Sequence, residues 1–168
     1  MGGRGSNDRA ALEAILFVLR TGCRWRDLPP QLGFGSRHTA WRRLRAWQEA
    51  GVWDRLHCIV LEELSEAQLL DWSSGCIDAV SVLAKRGGEL TRRNPTDRGK
   101  PGSKYHLLCD ANGLPLHELI SAANTHGSKL FEPLLDTNPG VSRRRGRRGR
   151  PQRRPEKVHA DKGYDYPR

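Results

Sequence analysis

Two aspartates occupy positions where a bare carboxylate is hard to keep. Asp78 interrupts the apolar run Cys76–Leu83, and Asp161 ends the alternating run Lys157–Asp161, directly before Lys162 and Gly163. An ionised carboxylate buried without compensation is prohibitively unfavourable. An arginine, a set of backbone amides or a metal ion therefore has to stand against each. Two aspartates brought together from neighbouring strands form a suitable cage for Mg2+, which prefers hard oxygen ligands and keeps several waters. Two such ions can clamp the attacking and leaving oxygens of a phosphoryl displacement. The competing reading of either residue is a cap or a salt-bridge partner.

Further polar residues stand close by in sequence. Val158 and Ala160 alternate with His159 and Asp161, so the latter two share a face of a strand. His159 is then in reach of a metal held by Asp161; a solvated or core histidine is the alternative. His126, in Ala-Asn-Thr-His-Gly, has either a supporting role or a place in a structural turn, and Lys162 either meets a phosphate or is solvated. The four cysteines, Cys23, Cys58, Cys76 and Cys109, form no C-x-x-C pair, and three lie inside apolar stretches. Reduced thiols in a core are expected, not a zinc site or a disulfide framework.

Charge points to a polyanion. Lys and Arg number 29 against 19 Asp and Glu, a net charge of +10. Most of the basic residues are Arg, whose planar fork matches phosphate. A basic, arginine-rich chain takes nucleic acid as its partner. Residues 141–155 hold eight arginines and no acid: Arg143, Arg144, Arg145, Arg147, Arg148, Arg150, Arg153 and Arg154. Such a tract binds by counterion release, steeply dependent on salt and blind to sequence. Lys85, Arg86, Arg98, Lys100 and Lys104 are candidates for lining a DNA groove. For both groups a solvated basic segment is the bland alternative.

The elements that must position these residues form an α+β arrangement. A length of 168 residues allows one compact domain or two small ones. No apolar run approaches the ~20 residues of a membrane helix, and no basic-then-apolar leader opens the chain, so a cytoplasmic location is expected. A helix is expected from Asn7, capped by Asn7 or Asp8, with Leu12, Ile15, Leu16 and Leu19 at helical spacing. A second runs from Arg37 to Ala50 after Ser36, with Ala40, Leu44 and Trp47 inward and His38, Arg42 and Arg45 on the opposite face beside Arg37. A third runs from Val52 to Glu66, with Trp53, Leu56, Val60 and Leu64 inward. Three short helices with a Gly-punctuated turn fit a helix-turn-helix-like module whose middle helix contacts DNA. A plain helical bundle is the alternative.

After residue 70 the character changes. Residues 76–83 read as a buried strand and 85–104 as a loop. Lys104–Asp110 and Leu114–Ala122 read as strands joined by Ala-Asn-Gly, a hairpin signal. Ser128–Asp136 reads as a short helix, residues 141–155 as an Arg-rich mobile loop, and residues 157–161 as a last strand.

These residues together resemble a known family. Residues 73–136 run Ser-Ser-Gly-Cys-Ile-Asp78-Ala-Val-Ser-Val, then Ala-Lys-Arg-Gly-Gly-Glu and Asn-Pro-Thr-Asp-Arg-Gly-Lys-Pro-Gly-Ser-Lys-Tyr-His. There follow Asp110-Ala-Asn-Gly-Leu-Pro-Leu, Ala-Asn-Thr-His126 and Phe-Glu-Pro-Leu-Leu-Asp. The chain closes on His159-Ala-Asp161-Lys-Gly-Tyr-Asp. This closely resembles the DDE transposases of IS5-type bacterial insertion sequences, within the IS4-like superfamily. Thr-Gly-Cys-Arg-Trp-Arg-Asp-Leu-Pro-Pro and Thr-Ala-Trp-Arg-Arg-Leu resemble the helical domain ahead of that family's catalytic core.

The resemblance implies a helical DNA-binding domain over residues 1–70, followed over 71–168 by the N-terminal part of an RNase H-like mixed α/β domain. It implies that Asp78 is the first acid of the triad, on the first strand, and Asp161 the second, on the fourth. Together they would be catalytic and hold Mg2+ or Mn2+. The family's chemistry is hydrolysis of DNA at the element ends, then attack of the freed 3′-hydroxyl on target DNA. The pattern departs from the family in two places. The third acid, a Glu on a helix well downstream, has no counterpart after Asp161, and Gly127 stands where relatives often carry Asp after the His. The expectation is therefore a C-terminally truncated transposase, with insertion-sequence ends and target DNA as partners, and association with itself or with a full-length transposase through exposed apolar surface. The alternative is an inactive DNA-binding protein that competes with full-length transposase.

Overall fold

The computed structural model describes residues 4–84, 87–142 and 150–165. The chain divides into two units, Met1–His57 and Cys58–Arg168.

The first unit is helical. Helix α1 spans Arg4–Thr21, three residues earlier at its start than Asn7, so the proposed caps Asn7 and Asp8 lie inside it. Asp8 instead pairs with Arg43 of α2 (Arg37–Glu49) at 2.8 Å. The buried stripe of α1 is Ala11, Ala14, Ile15 and Val18, which meets Ala40 and Leu28. Leu16 and Leu19 are exposed instead. Small alanines on the inner stripe let α1 and α2 approach closely, and Leu16 and Leu19 fall on its flank. Ser36 stands at the N-cap of α2 without a side-chain capping bond. Helix α3 spans Val52–Glu66. Trp53 packs inward and donates its indole N–H to the Leu44 carbonyl at 3.3 Å. Leu56 and Val60, expected inward, are exposed, whereas Leu61 of the same helix is buried in the core of the second unit.

The second unit is a mixed five-stranded sheet with a helix on one face. Strands β1 (Gly75–Leu83), β2 (Arg92–Arg93), β3 (Pro101–Asp110), β4 (Pro115–Ala122) and β5 (Val158–Ala160) are joined in the order β2-β3-β1-β5, with β4 also on β3. Pairing is antiparallel except between β1 and β5, which run parallel. The β3–β4 hairpin turns at Asp110, whose carboxylate accepts the N–H groups of Asp71, Asn112 and Leu114 at 2.9, 2.9 and 2.8 Å. Helix α4 (Ser128–Asp136) contributes Leu134 and Leu135 to a core with Ile77, Leu108, Leu116 and Val141.

Three expectations change here. The segment 85–104 contains β2 and the start of β3, because Arg92 and Arg93 pair with Gly102 and Pro101. Strand β1 is not buried throughout: Ile77 is covered, but Val80 is 62% exposed, with Val82 also open. Only one face of the sheet is packed by α4, so alternate apolar residues of β1 face outward. The Arg-rich segment does not run free from end to end. Val141 is buried and exchanges both backbone hydrogen bonds with Gln152, at 2.8 and 2.9 Å. Residues 143–149 lie outside the described residues. No helix among the described residues is long and apolar enough to cross a membrane.

Candidate active site

Strand β1 carries Asp78, and Asp161 directly follows β5. Gly75 stands opposite Val158, Cys76 opposite His159 and Ile77 opposite Ala160. The next residue along each chain is Asp78 and Asp161. Asp161 keeps an extended backbone, with φ −66° and ψ 162°. Continued by one residue beyond Ile77 and Ala160, the register sets the two side by side at about the 4.8 Å spacing of neighbouring strands. Gly75 and Ile77 of β1 are buried, whereas Cys76 and Asp78 are exposed. By alternation Asp161 shares the face of His159, which is the face of Cys76 and Asp78.

Backbone amides hold both carboxylates. Asp78 Oδ1 accepts the Ala79 N–H at 2.7 Å. Asp161 caps the 3-10 turn Lys162–Tyr164, its Oδ1 accepting the Gly163 N–H. The cap reading thus holds for Asp161 together with its place beside Asp78. Neither residue is in an ion pair among the described residues.

Tyr164 ends that turn. Its ring packs on Phe131, with centroids 6.2 Å apart, and lies over Gly127. Its hydroxyl is buried and has no hydrogen-bond partner among the described residues. Burial first, then the negative charges of Asp78 and Asp161, raise the phenol above its ordinary value. Sequence reasoning missed Tyr164. The one available signal was Gly127, a residue without a side chain directly before α4.

The cysteines differ from expectation. All four are free; Cys23 is partly buried and packs against the helical core, Cys58 and Cys109 are partly buried, and Cys76 is exposed rather than a core thiol. Cys76 and Cys109 are direct partners across β1 and β3. The Cys109 thiol is pushed up to about 11, first by burial, then by Cys76 through its charge and a hydrogen bond, then by Asp110 and Asp78.

The acid pair offers two hard oxygen ligands with open positions for water, which fits a small divalent cation such as Mg2+. Among the described residues no group of three or more His, Cys, Asp or Glu is arranged to hold a metal. His159 is exposed two residues before Asp161, and His126 lies in the loop before α4, its Nδ1 2.8 Å from Ser128 Oγ.

The basic candidates are spread over both units. On α2, Arg37, His38, Arg42 and Arg45 are all exposed. Arg45 is 3.4 Å from Glu49 and stacks 5.1 Å from the Trp41 ring centroid. In the second unit Lys100 pairs with Asp97 at 3.2 Å, and Lys104 Nζ donates to the Thr125 carbonyl at 2.7 Å. Arg150, Arg153 and Arg154 line a cleft of about 430 Å³ with Leu135, Asp136 and Pro151, and Arg154 pairs with Asp136. Lys85, Arg86, Arg143, Arg144, Arg145, Arg147 and Arg148 lie outside the described residues.

The acid-bearing sheet coincides with a known domain. Residues 73–168 match the family described as "Transposase DDE domain". The chain belongs to the DDE transposase family. Residues 1–57 also match a family described as "Putative transposase of IS4/5 family". Over 89 residues the chain is 52% identical to the "Insertion element IS402 uncharacterized 16.2 kDa protein" of Burkholderia cepacia, covering 53% of this chain and 60% of that one. Over 79 residues it is 47% identical to the "Putative transposase for insertion sequence element IS402" of the same organism, covering 47% and 36%. A third relative, "Uncharacterized protein y4sN" of Sinorhizobium fredii (strain NBRC 101917 / NGR234), is 36% identical over 91 residues, covering 54% and 66%. The matched stretch thus spans between 36% and 66% of these relatives' own lengths. No solved structure matches.

Proposed function

We propose that Asp78 and Asp161 are the catalytic, metal-binding carboxylates of an insertion-sequence transposase. In the whole protein that site hydrolyses a DNA phosphodiester and then joins the freed 3′-hydroxyl to target DNA. The observation that carries the reading is the parallel register of β1 and β5, in which the residues after Ile77 and Ala160 are these two acids. A divalent Mg2+ or Mn2+ bound there supplies Lewis-acid charge for the phosphoryl oxygens. The chain's own part is to hold two carboxylates at strand spacing, each fixed by a backbone amide.

DNA would be gripped by residues 1–70 and by residues 71–168 in different ways. Arg37, His38, Arg42 and Arg45 offer an exposed helical face for base edges and phosphates. Lys85, Arg86, Lys100, Lys104 and the arginines of 141–155 offer sequence-independent attraction. The exposed apolar face of β1 supports association with a second transposase chain.

With two acids and no third ligand arranged beside them among the described residues, cation binding is expected to be weak and DNA cleavage by this chain slow or absent. Mn2+ binding measured by electron paramagnetic resonance tests the pair. Asp78→Asn and Asp161→Asn should each weaken binding at least tenfold, and unchanged affinity in both variants would sink the assignment. Robust cleavage of element-end DNA by the 168-residue chain would overturn the expectation of low activity. Tight DNA binding without any cation site would favour the reading of a competing, inactive DNA-binding protein.

A further inference from the structure

We propose that Cys76 and Cys109 are a dithiol oxidation site: a hydroperoxide converts them to a reversible disulfide that ties β1 to β3 beside the acid pair. They are direct partners in the antiparallel ladder. As direct partners they present their thiols on the same face of the sheet, and Cys76 is among the groups that raise the Cys109 thiol. Cys76 is open to solvent and Cys109 half-buried, and both are free thiols. Cys58 sits on α3 and Cys23 between α1 and α2, so neither is in a strand.

The spacing suits a bond. Directly opposed residues of an antiparallel pair have Cα atoms about 4.5–5.5 Å apart, inside the window of roughly 4.4–6.8 Å that disulfides occupy. Their Cβ atoms, about 4.5–5.5 Å apart in such a pair, need to close to about 3.8 Å. Bond formation thus draws the two strands together by about 1 Å.

The chemistry balances with one hydroperoxide. The exposed Cys76 sulfur attacks the O–O bond, giving a sulfenic acid at Cys76 and releasing water or an alcohol. The Cys109 sulfur then attacks the Cys76 sulfur, forming the S–S bond and expelling the hydroxyl, which leaves as water with the thiol proton. Two electrons pass from the two thiols to the peroxide. A dithiol reductant reverses the step.

Asp78 stands two residues beyond Cys76 on the same face of β1, so the shift reaches the carboxylate spacing. That consequence, though not the disulfide itself, rests on the acid-pair reading. Treating the reduced chain with hydrogen peroxide, blocking residual thiols and mapping peptides by tandem mass spectrometry tests the bond. The expected result is a Cys76–Cys109 link with Cys23 and Cys58 still alkylated. Four alkylated cysteines, or a link that uses Cys58 or Cys23, would overturn it. Mn2+ affinity should fall about threefold or more on oxidation and return with dithiothreitol, in the wild type and in a Cys23→Ser/Cys58→Ser variant. A mapped disulfide with unchanged Mn2+ affinity, while Asp78→Asn still weakens binding, refutes the coupling. Insensitivity of Mn2+ binding to Asp78→Asn refutes the acid pair and leaves the mapped bond standing on its own.

Discussion

Gly75 is clasped between Cys109 and Pro155. A Cβ at position 75 would meet the Cys109 carbonyl oxygen at 2.7 Å and Pro155 Cγ at 2.5 Å. Gly75 also donates its N–H to the Lys157 carbonyl at 2.8 Å, where β5 begins to follow β1. The missing side chain is what lets the segment carrying Asp161 settle along the segment carrying Asp78.

Gly75→Ala should therefore lower unfolding free energy by about 3 kcal/mol, the upper range for overpacking, as read by urea denaturation. It should also loosen Mn2+ binding. A variant as stable as wild type would show that β5 does not depend on this close approach.

Tyr164 carries a buried hydroxyl without a partner among the described residues. Removing an unsatisfied polar atom is neutral or stabilising, so Tyr164→Phe should change stability by between 0 and about +1 kcal/mol. The phenol's raised value in the folded state adds a pH signature. The unfolded phenol ionises first, so its stabilising contribution is present below pH ~10 and lost as pH rises through the folded value. Wild type should lose stability on that alkaline limb more steeply than Tyr164→Phe, and parallel curves would count against it.

Gly127 and Tyr164 should prove energetically coupled. A Cβ at 127 would lie 3.2 Å from the Tyr164 ring. Gly127→Ala should cost about 1 kcal/mol in wild type, and clearly less in a Tyr164→Ala background, where the ring that its Cβ would meet is gone. The double-mutant cycle reads this directly, and purely additive effects would contradict the packing.

His106 is fully buried, with Nε2 2.8 Å from Ser121 Oγ and Nδ1 unpartnered among the described residues. Burial, then the charge of Lys104, lowers its pKa. The unfolded state thus takes up the proton first, and stability should decline as pH drops below about 6.5. His106→Gln should flatten the slope between pH 6.5 and 5; an unaltered slope would assign the acid limb to other groups.

Salt should separate the two kinds of DNA contact. Replacing Arg143, Arg144, Arg145, Arg147 and Arg148 by Gln should reduce the slope of log K against log salt by up to about 4.5, at roughly 0.9 per phosphate contact. An unchanged slope would mean that none of the five meets phosphate.

Short-range signals in the chain were faithful guides. Ala-Asn-Gly at 111–113 closes the β3–β4 hairpin, and α4 occupies Ser128–Asp136 as its apolar spacing implies. Asp78 lies within a strand and Asp161 immediately after one. What stayed hidden depends on partners distant in sequence. Helical periodicity places Leu16 and Ile15 equally well, and only the approach of α2 buries one and exposes the other. The apolar look of Val80 and Val82 says nothing about whether one sheet face or two are covered. The pairing of Cys76 with Cys109 and the lodging of Tyr164 over Gly127 follow from register and from a turn, and neither leaves a local pattern.

The closure between Val141 and Gln152 separates the charge of the intervening segment from the register of β1 and β5. Because the polypeptide is stapled at that point, substitutions between the two ends can raise or lower the basic charge offered to a nucleic acid without disturbing the ladder that aligns Asp78 with Asp161. Charge in that stretch can thereby vary while the spacing of the two carboxylates stays constant.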